Sequence, residues 1–258
     1  MTTAVIETEQ LGMRYGRRVA LTECTLHVPA GRVVGLVGPN GAGKSTFLGL
    51  TGGLLTPTSG RIAVLGHRPG DGAAQLADVA FVAQDAPLYP SLTVADHLRL
   101  GARLNPRWDQ PYAEARIKRL GLDPGQKAGR LSGGQRAQLA LTLAAAKRAQ
   151  LLILDEPVAS LDPLARRMFL QDLQEFVAEV EVSVVLSSHL LSDLARVCDH
   201  LIVLSAAHVQ LAGDVSSLLA GHSRVTEGDG ERIVPKPDGR PVDLEDLVLA
   251  YMAGEVVR

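Results

Sequence analysis

The sequence predicts an α/β fold: a mostly parallel sheet, an antiparallel β portion and an inserted helical portion. Three observations carry this. The apolar runs Val33-Val34-Gly35-Leu36-Val37 and Leu151-Leu152-Ile153-Leu154 read as strands covered on both faces, and helical patterns alternate with them. A glycine-rich turn, Gly38–Gly43, follows the first run and opens a helix at Lys44. The stretch from Thr93 to Gly121 contains no strand pattern and reads as an insertion.

Each element can be justified in order. Ala4–Thr8 and Cys24–Val28 are rich in β-branched residues and read as strands joined through the turn-prone Tyr15-Gly16-Arg17-Arg18, with a further turn at Pro29-Ala30-Gly31. A helix is expected from Lys44 to Leu50, and strands over Arg61–Leu65 and Val79–Ala83. Thr93 or Ser91 can cap a helix running through Val94, His97, Leu98 and Leu104. A second helical pattern spans Pro111–Leu120, and a third follows Gly134. After the strand Leu151–Asp155 come a helix from Pro163 to about Val180, a strand Val182–Ser187, a helix Leu190–Val197 and a hairpin of Leu201–Leu204 with His208–Leu211. The tail differs. His222–Gly230 reads as a loop, Pro235–Gly239 as a turn, and Asp243–Met252 as a helix with its apolar residues at Leu244, Leu247, Val248 and Tyr251. The division expected is a main domain over 1–221, its helical part at about 85–150, and a C-terminal loop-and-helix extension over 222–258.

The composition narrows the function. The 258 residues are 46% hydrophobic and 21% charged, enough to bury a core without staples. The net charge is -2 with both signs interspersed, so no nucleic-acid partner is expected. The two cysteines imply no disulfide framework and suit a reducing compartment. Met1–Gln10 lacks a basic stretch followed by an apolar one, so no leader is expected. The apolar runs fall far short of the about 20 residues that cross a bilayer, so any membrane part must come from another chain.

The chemistry sits at two strand ends. Gly38-Pro39-Asn40-Gly41-Ala42-Gly43-Lys44-Ser45 matches the phosphate-loop pattern in its required setting, after a buried strand and before a helix. Gly41 and Gly43 let amides curl inward, and the helix N-terminus adds its dipole. Lys44 is expected to reach the β- and γ-phosphates, Ser45 to ligate Mg²⁺ and Thr46 to bond the α-phosphate of ATP. The fold is therefore expected to be a P-loop NTPase core. Asp155 and Glu156 end a second buried strand, where parallel sheets bind ligands. Asp155 would hold the Mg²⁺ hydration shell, and Glu156 would take a proton from the attacking water.

Leu131-Ser132-Gly133-Gly134-Gln135 resembles the signature of the ATP-binding-cassette family, and the resemblance runs from about Ile6 to Leu219 with the motifs in the family's order. It implies that Ser132, Gly133, Gly134 and Gln135 close over the nucleotide of an opposing cassette, with Asp162 in Ser160-Leu161-Asp162 linking the two sites. Tyr15 resembles the aromatic that stacks on adenine, a packed strand-end tyrosine being the alternative. Gln84 resembles the glutamine that touches Mg²⁺ and the attacking water. His189 resembles the switch histidine at the γ-phosphate. No motif is degenerate, so a hydrolytically competent site is expected.

A single cassette without a span is similar to the detached ATPase subunit of a membrane transporter. Soluble cassettes acting on ribosomes or DNA are the alternative. The former usually carry two cassettes, and the latter a long coiled coil for which the interval from Asp85 to Arg130 is too short. The resemblance implies two partners, a second cassette and an integral permease, with the chain cytoplasmic and peripheral on the inner face of the cell membrane. Pro87–Val94 and Asp243–Tyr251 are similar to drug and antibiotic export cassettes, so export is the expected direction.

Overall fold

The computed structural model describes residues 4–85, 87–227, 230–236 and 239–256. The chain begins with two long strands, β1 (Ala4–Tyr15) and β2 (Arg18–Pro29), paired antiparallel through the two-residue turn at Gly16-Arg17. Both run well beyond the five-residue segments that alternation suggests. The register slips at several points, and Gln10 and Glu23 adopt positive φ of 48° and 49°. Such bulges reset which side chains face inward, so period-2 reading stops although the strand continues.

The main sheet starts at β3 (Val33–Val37), followed by α1 (Lys44–Thr51). The next strand, β4 (Ser59–Val64), returns to the first sheet, whose order is β2-β1-β4. A short helix, α2 (Gly72–Asp78), precedes β5 (Val79–Val82); nothing in the sequence reading anticipated it. The insertion supplies α3 (Val94–Leu104), α4 (Gln110–Arg119) and α5 (Gly133–Ala146). Then come β6 (Leu151–Leu154), α6 (Pro163–Glu179), β7 (Ser183–Ser187), α7 (Leu191–Val197), β8 (His200–Ser205) and β9 (His208–Asp214). The large sheet has the order β5-β6-β7-β3-β8-β9, parallel except for β9.

Every residue of β3, β6 and β7 is buried, because the sheet is covered on both sides. Alternate residues serve two cores. Val33, Leu152, Leu154, Val184 and Leu186 join Phe169 and Leu173 of α6. Val34, Leu36, Leu151, Ile153 and Val185 join Phe47 and Leu48 of α1 and the inner face of β1 and β2. This explains why these strands read as unbroken apolar runs.

The helical part packs on a smaller cluster of its own, including Val94, Leu98, Ile117 and Leu139, with Trp108 against it. Thr93 caps α3 in a reciprocal capping box with Asp96, and Asp109 caps α4. Trp108 lies flat enough on Gly101 that a Cβ there would meet its ring at 2.5 Å. Its indole N–H donates to Gln110 Oε1 at 2.7 Å. One buried cation ties this part to the core. Arg116 donates to Thr142 Oγ1 (3.1 Å) and Gln138 Oε1 (2.9 Å) and pairs with Asp172 of α6 at 3.2 Å.

In the tail, α8 (Val215–Ala220) is followed by β10 (Ser223–Glu227) and β11 (Gly230–Val234), an antiparallel hairpin where the sequence reading expected a loop. The strands are polar and isolated from the main sheet, so they show no apolar alternation; their support is the cluster of Ile233, Val242, Leu247 and Ala250. The last helix, α9 (Leu244–Ala253), forms where its spacing predicts. Of the expected Pro235–Gly239 turn, Pro237 and Asp238 lie outside the described residues.

Arg116→Ala leaves Gln138 and Thr142 without their buried partner and Asp172 with Arg119 alone, and is expected to cost about 1–3 kcal/mol of stability. Urea unfolding of the two proteins measures this, and a loss below about 1 kcal/mol would mean that water replaces the guanidinium.

Candidate functional site

The loop Gly38–Gly43 leaves the centre of the main sheet, since β3 lies between β7 and β8. It folds tightly, with the Ala42 N–H donating to Pro39 O at 3.1 Å. Gly43 precedes α1 at φ 105°, and a Cβ there would sit 2.4 Å from Ala20 O; at Gly38 one would sit 2.3 Å from Leu204 O. Only glycine fits either place, so the backbone itself forms the cradle wall. Lys44 opens α1 and is buried, its ammonium donating to Gly38 O at 2.8 Å and Pro39 O at 3.4 Å. Ser45 is exposed beside it in the first turn, where helix amides lack intrahelical partners.

The acids reach this place through the strand two positions away. The Asp155 N–H still pairs with Val82 O at 2.9 Å, extending β6 by one residue. At Glu156 the chain turns, with a φ of 47°. A non-glycine residue in the left-handed region is held there only by surrounding contacts. The contact here is Ser187, the last residue of β7. Its Oγ accepts the Glu156 N–H at 2.8 Å and donates to Asp155 Oδ1 at 2.7 Å. Glu156 Oε1 then lies 3.6 Å from Lys44 Nζ, and Oε2 lies 2.6 Å from His189 Nδ1. A carboxylate acceptor at Nδ1 makes that nitrogen the donor and leaves Nε2 for another partner. Lys44, Asp155 and Glu156 are 6%, 6% and 8% exposed, so each charge depends on these contacts.

The structure thus brings Lys44, Asp155, Glu156 and His189 together. Tyr15 is half exposed at the end of β1. The turn it enters lies against the loop, because a Cβ on Gly41 would be 3.5 Å from Arg18. Gln84 is exposed just past β5, the neighbour of β6, and among the described contacts none ties it to the acids. Ser132–Gln135 and Asp162 stand apart as a second patch. Ser132 and Gln135 cap α5 reciprocally, the Gln135 N–H donating to Ser132 Oγ at 3.2 Å and the Ser132 N–H to Gln135 Oε1 at 2.9 Å. Asp162 caps α6 by accepting from the Leu164 and Ala165 N–H groups. A Cβ on Gly134 would meet that of Ala165 at 3.0 Å, so the two helix ends adjoin. Sequence reasoning missed Ser187. Its one visible signal is a hydroxyl that closes a buried strand after the apolar run Val184-Val185-Leu186.

The oxygen donors available, the Ser45 hydroxyl, the Asp155 carboxylate and the Gln84 amide, suit a hard cation such as Mg²⁺. Among the described residues no cluster of three or more His, Cys, Asp or Glu gathers.

A cradle of amides at a helix N-terminus, a buried lysine and two acids at the end of a parallel strand two positions away define a P-loop NTPase domain. The second, exposed motif at the start of α5 separates it from most of that class. The chain belongs to the ABC transporter family, whose model matches residues 21–159. It is 32% identical over 217 residues to the sulfate/thiosulfate import ATP-binding protein CysA of Yersinia pseudotuberculosis, covering 81% of this chain and 60% of that protein's length. It is 30% identical over 258 residues to the Nod factor export ATP-binding protein I of Rhizobium etli, covering 97% and 79%. Among solved structures, an ATP-binding subunit of an ABC transporter superposes with a TM-score of 0.74 at 30% identity, over 83% of this chain and 91% of that one.

Ser187→Ala removes the acceptor of a buried N–H and the donor to a buried carboxylate. It is expected to lower stability by about 1–3 kcal/mol, read from the denaturation midpoint, whereas Ser188→Ala next to it should lower it by less.

Proposed function

We propose that this chain is the nucleotide-binding subunit of an ABC transporter and hydrolyses Mg-ATP to drive transport through a separate permease. The observation that carries the reading is Glu156, held in a left-handed bend beside Asp155 with Lys44 and His189 at its carboxylate. In this reading the backbone N–H groups of Gly38, Asn40, Gly41, Ala42 and Gly43 cradle the phosphates with Lys44, Ser45 and Thr46, Pro39, which has no N–H, shapes the loop, and Tyr15 stacks on the base. Mg²⁺ held by Ser45 and Asp155, with Gln84, neutralises phosphate charge. Glu156 takes the proton of the attacking water, and His189 bonds the γ-phosphate.

The site is half of a composite one. Ser132, Gly133, Gly134 and Gln135, with Asp162, form a patch whose hydrogen bonds are internal, and it is available to the nucleotide of a second cassette. Two chains, alike or related, would close head to tail around two ATP molecules. We read residues 1–221 as the cassette, about 85–150 as its helical subdomain, and 222–258 as an extension. No helix among the described residues is long and apolar enough to cross a membrane. The permease would dock at the groove between core and helical part, lined by Leu54, Phe81, Pro87, Leu88 and Asn105, and the chain would sit peripherally on the inner face of the membrane. The relatives do not support the expected export direction: sulfate/thiosulfate and phosphonates relatives bear import names, against one Nod factor relative with an export name.

Glu156→Gln is expected to bind Mg-ATP and to lower turnover by about a hundredfold or more, accumulating a dimer visible by size-exclusion chromatography. An unchanged rate rules out Glu156 as the base. Ser132→Arg is expected to leave nucleotide binding by the monomer intact and to abolish that dimer; a dimer that persists removes the trans role. A pull-down of Glu156→Gln with Mg-ATP from solubilised host membranes supports the transporter reading if a multi-span protein comes down, and counts against it if ribosomes or DNA-processing proteins come instead.

A further inference from the structure

Outside the site, two charged side chains each carry one buried atom without a hydrogen-bond partner, and those two atoms face each other. Arg166 closes the first turn of α6, and Asp193 lies in the first turn of α7. Asp193 is 8% exposed and its buried Oδ2 accepts no hydrogen bond. The buried Nε of Arg166 donates none. The two atoms are 3.8 Å apart, about 1 Å longer than a charge-assisted hydrogen bond. Unpaired polar atoms in such a place are costly and call for a cause. A displacement of α7 against α6 by that same small distance would satisfy both at once.

What the pair joins gives the gap its meaning. On one side, the Arg166 guanidinium donates to Leu161 O at 3.4 Å, and its backbone N–H donates to Asp162 O at 2.9 Å. Those are the residues of the loop set beside Ser132–Gln135. On the other side, the Asp193 N–H donates to Leu190 O at 3.3 Å, and the Leu190 N–H to Ser188 Oγ at 3.0 Å. Between Ser188 and Leu190 stands His189, 2.6 Å from Glu156. Polar contacts, together with the short chain segment Ser188–Leu190 that carries His189, therefore lead from the Asp162 loop to the Glu156 carboxylate, and the Arg166–Asp193 gap is the open link between the two helices.

We infer that Arg166 and Asp193 are a positioning pair, which closes to a direct ion pair when a second cassette engages the Asp162 loop and thereby sets His189 on Glu156. The inference rests on the ATPase reading above. It assigns to neither residue a contact with nucleotide. Their effect is on turnover, through the placing of His189, and not on the binding of ATP to one chain.

The test compares steady-state ATP hydrolysis, nucleotide binding and melting temperature of the full chain with those of Asp193→Asn, Arg166→Lys and the double variant Arg166→Met, Asp193→Leu. The single variants are expected to lose about ten- to a hundredfold in kcat, while ATP binding to one chain shifts by less than about twofold. The double variant removes the buried Asp193 charge together with its partner, so it is expected to melt at or above the wild-type temperature and still to hydrolyse slowly. Turnover restored to the wild-type rate in the double variant overturns the inference, because the pair would then matter only for folding. So does a loss in the single variants that merely follows the folded fraction. A wild-type chain that binds ATP and hydrolyses none overturns the ATPase reading and this inference with it; an active wild type whose variants match it overturns the inference alone.

Discussion

The hydroxyl of Ser187 holds the site in register. It accepts a hydrogen bond from the Glu156 N–H and donates one to Asp155, so one small side chain fixes the backbone between two buried acids. The left-handed bend at Glu156 gives the adjacent acids different partners: Asp155 meets the hydroxyl, and Glu156 meets Lys44 and His189. Without the bend, successive residues of an extended strand would lie on opposite faces of the sheet. The bend lets two carboxylates that are neighbours in sequence serve one place. Each charge there is buried and each has a partner, which is how a low-dielectric pocket can hold three of them.

That pocket exists because the central strands are buried on both sides. Alternate residues of β3, β6 and β7 feed two separate cores, so the strand ends are positioned by packing from above and below. Interiors packed at crystal-like density transmit small displacements instead of absorbing them. The helical part is attached in two ways: Ala137, Ala140, Leu141 and Ala145 of α5 lie in the core with β6 and α6, and polar contacts add to them. It has its own small cluster, and Arg116 and Arg119 reach Asp172 and Glu175 on α6. Polar attachment of this kind is directional, and it resists sliding more than a greasy contact does.

The strands legible in the sequence were those with no ambiguity of face: Val33–Val37 and Leu151–Leu154 are apolar throughout. The capped helices were legible as well, since Thr93, Ser132 and Asp162 each announce a helix start. The bulged halves of β1 and β2 were not, because their alternation changes phase where the register slips. The β10–β11 hairpin was not, because its strands are polar and its support comes from Leu247 and Ala250 further along the chain. At the site, Lys44, Asp155, Glu156 and His189 were legible from motif order, and the structure brings them together. The role of Ser187 was not, since a serine at a strand end carries no signal until its neighbours are known. Nor was the bend at Glu156, as nothing about glutamate favours a positive φ.

The tail looks separable on paper, since a cassette ends near Gly221 and a polar hairpin follows. The packing says otherwise. Leu244 and Val248 of α9 lie in the same core as β3, β6 and α6, while Leu247 and Ala250 of the same helix anchor the hairpin. The final helix is thus a shared wall, with one face closing the ATPase core and the other roofing the appendage. A fragment cut at Gly221 would expose a strip of the main core to water. Evolution could trim or lengthen this tail only by finding another element to cover the ground that α9 now occupies.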